Sequence, residues 1–193
     1  MRIIGGSAGG AILRAPKGFG VRPTPDLVRQ AVFNSLGSRV LGAQVLELFA
    51  GTGALSLECL SRGAERAVCV EKSSRHAAFI GQNLQRAGLS RESLEIRVQD
   101  AFTAIRQLAA ACQQFDLILA DPPYGEKNID RRSTSLAQQL LDDPDLPNLP
   151  QAGGVFILGH TKRDTLALPP AWEEIKLLKH GDTVMRFLRR AAH

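Results

Sequence analysis

Four short stretches of this sequence carry side chains that could do chemistry together, and each follows an apolar run. The most specific is Asp121-Pro122-Pro123-Tyr124, directly after Phe115-Asp116-Leu117-Ile118-Leu119-Ala120. Two successive prolines fix φ at both positions and remove two backbone donors, so a strand must stop there and its carbonyls are free to face a ligand. A carboxylate, a stiff turn and an aromatic ring then emerge from the run together. Asp121 and the Pro122 carbonyl can each accept from an amino group, and Tyr124 offers a stacking face to a flat base.

The other three stretches suit a nucleoside-bearing ligand. In Glu47-Leu48-Phe49-Ala50-Gly51-Thr52-Gly53, Gly51 and Gly53 permit a tight turn and close approach of a ligand to the backbone. Ser56 stands where the dinucleotide fingerprint has its third glycine. Glu47 does not belong to that fingerprint. It is expected either to reach a cationic group, such as the ammonium of an amino-acid-bearing nucleoside, or to sit as an acid at a sheet rim. Glu71 ends the next apolar run, where an acid accepts from ribose hydroxyls or is merely solvated. In Asp100-Ala101-Phe102, the aspartate could accept from an adenine amine and the phenylalanine could pack on the ring. A helix cap and a core aromatic are the competing roles there.

The elements around these stretches alternate. Apolar strands are expected at 45–49, 67–70, 94–98, 115–120 and 155–158, and helices at 54–61, 74–87, 102–112 and 135–141. Gly63 and Gly88 stop two of the helices. Glu174 to Leu178 and Thr183 to Leu188 flank His180-Gly181-Asp182 as a closing hairpin. Strand–helix alternation with near-continuous apolar strands implies an α/β doubly wound sheet, seven-stranded and mostly parallel, covered on both faces. Strands one and four then adjoin at the topological switch point. All four stretches meet at the carboxyl rim, where such sheets bind ligands.

Residues 1–42 precede this unit and are expected to form an extension, with the sheet domain occupying 43–193. The extension reads as a hairpin, Arg2 to Ile4 against Ala11 to Leu13, then a helix. Thr24 would cap that helix, Pro25 would take its first position, Val28, Val32 and Leu36 would make its apolar face, and Gly37 would end it. The extension carries Arg2, Arg14, Lys17, Arg22, Arg29 and Arg39 against the single acid Asp26, and the C-terminal stretch adds Lys176, Lys179, Arg186, Arg189 and Arg190. Within a net charge of +5, basic clusters at both ends suit a polyanion. The histidines show no ligand spacing, so no metal is expected. Cys59, Cys69 and Cys112 form no Cys-x-x-Cys pair and are expected as small buried hydrophobes. With no apolar run of membrane-spanning or signal length, the expected location is the cytoplasm.

The chain resembles a known family. Glu-x-Phe-x-Gly-x-Gly with Asp-Pro-Pro-Tyr is similar to the class I methyltransferases that act on planar amino nitrogens. Arg22-Pro23-Thr24-Pro25-Asp26-Leu27-Val28-Arg29, Phe33-Asn34, the run Gly51 to Glu58 and Leu60-Ser61-Arg62-Gly63-Ala64 resemble, within that class, the bacterial small-subunit ribosomal RNA guanine methyltransferases. The resemblance implies S-adenosylmethionine as cofactor, held by Glu47, Phe49, Gly51, Gly53, Glu71, Asp100, Ala101 and Phe102. It implies catalysis by Asp121, Pro122, Pro123 and Tyr124 on a guanine exocyclic amine, in ribosomal RNA or an assembling small subunit, by a monomer. Arg22, Thr24 and Arg29 are then the expected RNA contacts. The first hairpin departs from the family: Ser7-Ala8-Gly9-Gly10-Ala11 stands where basic or aromatic residues are usual. A DNA amino methyltransferase would need recognition structure for which the extension leaves little room. A protein-glutamine methyltransferase gives no reason for basic ends, and a non-catalytic RNA-binding protein has no need of Asp-Pro-Pro-Tyr. An NAD-dependent oxidoreductase is opposed by Ser56 and by the lack of a hydride-transfer constellation.

Overall fold

The computed structural model describes residues 1–15, 24–124 and 132–192. After α1 (Asp26–Leu36), strands and helices alternate: β1 (Gln44–Leu48), α2 (Ala54–Ser61), β2 (Arg66–Glu71), α3 (Ser74–Arg86), β3 (Leu94–Val98), α4 (Ala101–Ala110), β4 (Phe115–Ala120), α5 (Leu136–Asp142), β5 (Pro150–Thr161). The strands β6 (Trp172–His180) and β7 (Thr183–Arg190) close the chain as a hairpin. The sheet order is β3-β2-β1-β4-β5-β7-β6. The first five strands pair in parallel, and β7 runs antiparallel between β5 and β6. This is the expected seven-stranded, mostly parallel, doubly wound sheet.

The period-2 alternation of strand side chains divides the core in two. Val45, Leu117 and Leu119 point to the face covered by α1, α2 and α3, where Val32, Leu57 and Ile80 meet them. Leu46, Leu48, Ile118 and Ala120 point to the other face, against Ile105 and Leu108 of α4 and Leu140 of α5. Because both faces are covered, β1 and β4 are buried at nearly every position.

Several boundaries differ from expectation for local reasons. Strand β5 begins at Pro150, because Gly153 at φ 79° and a register shift against β4 absorb what reads as a loop. Phe49 is not the last residue of β1 but turns out of it at φ 57°. Cys112 is exposed, in the left-handed conformation that ends α4, so it is not a core residue as Cys59 and Cys69 are. Thr24 does not cap α1. Pro25 occupies that position, and no side chain bonds the helix amides.

The first hairpin consists of one antiparallel bridge, Arg2 with Ile12, flanked by backbone bonds between Ile3 and Ala11 and between Gly10 and Ile3. Its turn lies against α2. Fully buried Glu58 accepts from the amides of Ile4 at 2.7 Å and Gly5 at 2.9 Å, and the Ser61 carbonyl accepts from Ser7 N at 2.7 Å. A Cβ on Gly6 would overlap that carbonyl. Close backbone contact with the helix explains why this turn is built of small residues.

Arg29 contradicts its expected place at an RNA surface. It is 0% exposed, and its Nη2 donates to the Arg2 carbonyl and, at 2.7 Å, to Asp26 Oδ1. The guanidinium ties α1 to the hairpin because the helical stripe that points at the sheet includes it with Val28 and Val32. Arg29→Met should therefore cost about 1–3 kcal/mol, chiefly through the Arg2 carbonyl left without its donor, read as a lower melting temperature. An unchanged melting temperature would contradict this structural role. Arg22 lies outside the described residues.

Candidate active site

A cleft of about 640 Å³ opens at the carboxyl ends of β1 to β4. Its walls come from the four loops that follow these strands. Strands β1 and β4 are neighbours with opposite crossover directions, so their loops part and leave the crevice between them.

On one side stands Glu71, the last residue of β2. Its Oε2 accepts from Gly51 N at 2.8 Å and its Oε1 from Ser73 N at 2.8 Å, with His76 Nδ1 3.7 Å from Oε1. It thus pins the β1–α2 loop to the start of α3 while lining the cleft, and a carboxylate with one bond per oxygen retains capacity for hydroxyl donors. Asp100 fills the role of helix cap and also lines the cleft. Oδ1 caps α4 by accepting from Phe102 N at 3.0 Å, and Oδ2 lies 3.7 Å from Lys72 Nζ at the cleft wall. Ala101 also lines the cleft.

Of the two phenylalanines, Phe49 reaches the cleft. Phe102 is not a wall residue; it packs edge-on behind Phe49 with ring centroids 6.3 Å apart. Among the loop glycines, Gly51 lines the cleft and Gly53 does not. Gly53 is needed for packing: at φ 76°, a Cβ there would come 2.8 Å from Ile80 Cγ2 of α3.

Glu47 does not reach the cleft either. It is 3% exposed, and its carboxylate accepts from Ser56 N at 2.9 Å and Leu55 N at 3.4 Å. An acid one strand-end removed from α2 thus folds under the loop and occupies the amides of that helix's first turn. Those are the amides on which a dinucleotide fold seats a pyrophosphate. Burial pushes the Glu47 carboxyl up from 4.5 to about 7, partly offset by the amide bonds. The folded chain therefore keeps this proton where the unfolded chain has released it. The associated stability is full below about pH 4.5 and is lost as pH rises through about 7, on the order of 3 kcal/mol in all. Glu47→Gln does not titrate, so the difference between wild-type and variant melting temperatures should change across that window. A constant difference would contradict the burial-driven shift.

Across the cleft, β4 delivers Asp121-Pro122-Pro123-Tyr124, and all four residues line it. Burial raises the Asp121 carboxyl above the usual aspartate range, and a hydroxyl bond from Thr24 draws it partly back. Thr24 Oγ1 donates to Oδ2. Oδ1 is buried and accepts no hydrogen bond from any described residue. The Tyr124 hydroxyl lies 3.1 Å from Thr183 Oγ1 of β7, and the residue is 40% exposed on the same cleft wall as the carboxylate.

Lys72, Ser73, His76, Gln99 and Leu136 complete the walls and were not anticipated. The first three could have been found by carrying the rim argument one turn into α3. Thr24 was expected at RNA; its bond to Asp121 has no trace in local sequence. Among the described wall residues, Glu71, Asp100 and Asp121 stand against Lys72 and His76. That arrangement suits a ligand with donor groups or positive charge.

A doubly wound sheet of this order, with its cleft at the switch point and Asp-Pro-Pro-Tyr after β4, defines the class I methyltransferase fold. Within it, the chain belongs to the family described as Conserved hypothetical protein 95, whose profile matches residues 1–189. It is 35% identical over 144 residues to YlbH of Bacillus subtilis (strain 168), provisionally named an rRNA methyltransferase; these cover 74% of this chain and 78% of the relative. It is 36% identical over 124 residues to Ribosomal RNA small subunit methyltransferase D of Escherichia coli (strain K12), covering 64% of this chain and 60% of the relative. The match thus spans less than two thirds of the E. coli protein's length. Among solved structures, yhhF of Escherichia coli, provisionally named a methyltransferase, superposes with a TM-score of 0.78 at 28% identity, covering 100% of this chain and 99% of that one.

Proposed function

We propose that this chain transfers a methyl group from S-adenosylmethionine to the exocyclic amine of a guanine in small-subunit ribosomal RNA. The observation that carries the reading is the buried Asp121 carboxylate, whose Oδ1 has no described partner, on the same cleft wall as Tyr124. An amine on a flat ring satisfies both. The relatives' names support ribosomal RNA as the bearer of that ring, and the basic extension and C-terminal stretch favour a polyanion.

The donor side fits S-adenosylmethionine. Glu71 is suited to ribose hydroxyls, Asp100 to the adenine amine and Phe49 to the adenine face. Glu47 occupies the α2 amides that a pyrophosphate would need, which argues against NAD. Bound S-adenosylmethionine supplies a methyl group already activated on a sulfonium. The chain's own residues have to align and polarise the acceptor. The guanine amine is a weak nucleophile because its lone pair is delocalised into the ring. Hydrogen bonds from it to Asp121 Oδ1 and the Pro122 carbonyl draw the nitrogen toward tetrahedral geometry. They also stabilise the positive charge that grows as its lone pair forms the N–C bond and the S–C pair returns to sulfur. Tyr124 holds the base plane, and one amine proton then leaves to Asp121 or to solvent.

Mass spectrometry of ribosomal RNA nucleosides from cells with and without this protein tests the reading. Loss of N2-methylguanosine from small-subunit RNA is expected. Unchanged small-subunit RNA with hypomethylated DNA would reassign the protein to DNA.

A further inference from the structure

Asp121 is held by a residue that belongs neither to its motif nor to the sheet. Thr24 precedes α1 by one residue beyond the Pro25 cap, and its hydroxyl donates to Asp121 Oδ2 rather than to the helix. Thr24 is itself 9% exposed. Its backbone is placed by a helix that is well anchored: Val28, Val32, Phe33 and Leu36 are buried, Arg29 N donates to the Pro25 carbonyl at 3.1 Å, and the Arg29 side chain ties the helix to the hairpin.

The other carboxylate oxygen is shaped from the opposite side. A Cβ built on Gly159 of β5 would overlap Asp121 Oδ1, so the carboxylate occupies space that only glycine leaves open. With Oδ2 taken by Thr24 and Oδ1 lying against Gly159, rotation about Cβ–Cγ is restrained, and buried Oδ1 accepts from no described residue. A free carboxylate would turn and share its two oxygens with solvent. This one is held in one orientation, which alignment of an amine requires.

We propose that Thr24 is a positioning residue for methyl transfer: its hydroxyl fixes Asp121 so that Oδ1 meets the acceptor amine, which makes turnover, but not cofactor binding, depend on the docked N-terminal segment. This rests on the reading of Asp121 as the amine's acceptor. It replaces the expectation that Thr24 contacts RNA.

The test compares wild type with Thr24→Val, Thr24→Ser and Asp121→Ala. The substrate is small-subunit particles lacking the modification, and kcat, KM for the particle, Kd for S-adenosylmethionine and melting temperature are measured for each. Valine keeps the shape and removes the hydroxyl; serine keeps the hydroxyl. Thr24→Val should lower kcat by about 10–100-fold, with KM, Kd and melting temperature near wild type, and Thr24→Ser should recover most of the lost kcat. Wild-type kcat in Thr24→Val, or loss in Thr24→Ser equal to that in Thr24→Val, overturns the proposal while Asp121→Ala stays inactive. A raised particle KM at unchanged kcat returns Thr24 to substrate binding and likewise overturns it. Full turnover by Asp121→Ala removes Asp121 as acceptor, and the role of Thr24 with it. If Thr24→Val does not fold, Thr24→Ser decides: a folded serine variant with wild-type Kd and a collapsed kcat contradicts the proposal, and near-wild-type kcat supports it.

Discussion

Asp121→Ala should lower methyl transfer to small-subunit RNA by about 1,000-fold or more while leaving affinity for S-adenosylmethionine within a few-fold. The magnitude follows from removing a preorganised acceptor aimed at charge that develops only in the transition state. The cofactor is spared because Glu71 and Asp100, which line the opposite part of the cleft, make no hydrogen bond to Asp121. Activity should also carry the signature of this carboxyl. The ionised form is the acceptor, and burial raises the group above the usual aspartate range. The kcat of the wild type should therefore fall as pH drops through a value higher than an ordinary aspartate's, and the residual activity of the alanine variant should lack that limb. Single-turnover rates across pH, with calorimetry for the cofactor, check both parts. Near-wild-type turnover in the alanine variant would remove Asp121 from the chemistry.

Glu71→Ala should act on the other side. Two charge-assisted amide bonds, from Gly51 N and Ser73 N, are lost with the carboxylate, as is the acceptor proposed for the ribose hydroxyls. The expected weakening is about 1–3 kcal/mol, or roughly 5- to 150-fold in Kd. Because Gly51 is part of the loop that meets the cofactor, some of that loss comes from the loop and not from the ribose. Glu71→Gln separates the two: it keeps one acceptor for the loop but loses the charge, so its affinity should fall between wild type and alanine. Calorimetry with S-adenosylhomocysteine is the direct measurement. An unchanged dissociation constant in Glu71→Ala would take this residue out of the site.

The sheet was legible because its strands are buried on both faces. Val45 to Leu48 and Leu117 to Ala120 leave little choice but a central parallel strand, and a motif at the end of such a strand must reach the rim. The positions of Glu71, Asp100 and Asp121 followed from that rule. What did not follow was the direction of individual side chains. Glu47 in β1 and Gly53 in the loop after it face inward, because the amides of α2 and the Ile80 side chain claim them. Of the two phenylalanines expected at the cofactor, only Phe49 lines the cleft, because it leaves the strand at positive φ and Phe102 packs behind it.

The N-terminal segment was the least legible part, and for one reason. Its basic residues were read by charge, and charge cannot say which side of an amphipathic helix a guanidinium lies on when an acid such as Asp26 stands three residues before it. Arg29 is inside, and Thr24 is spent on Asp121. Long-range bonds of this kind, like that between Tyr124 and Thr183 across 59 residues, leave no local pattern.

The central claim is that one cleft brings an activated methyl group to a guanine amine held at Asp121. It is tested most directly by incubating the purified protein with S-adenosylmethionine labelled in its methyl group and small ribosomal subunits lacking the modification, then digesting the RNA and resolving its nucleosides. Label is expected in N2-methylguanosine alone, and none with Asp121→Ala. Label in any other nucleoside, in ribosomal protein, or undiminished in the alanine variant would contradict it.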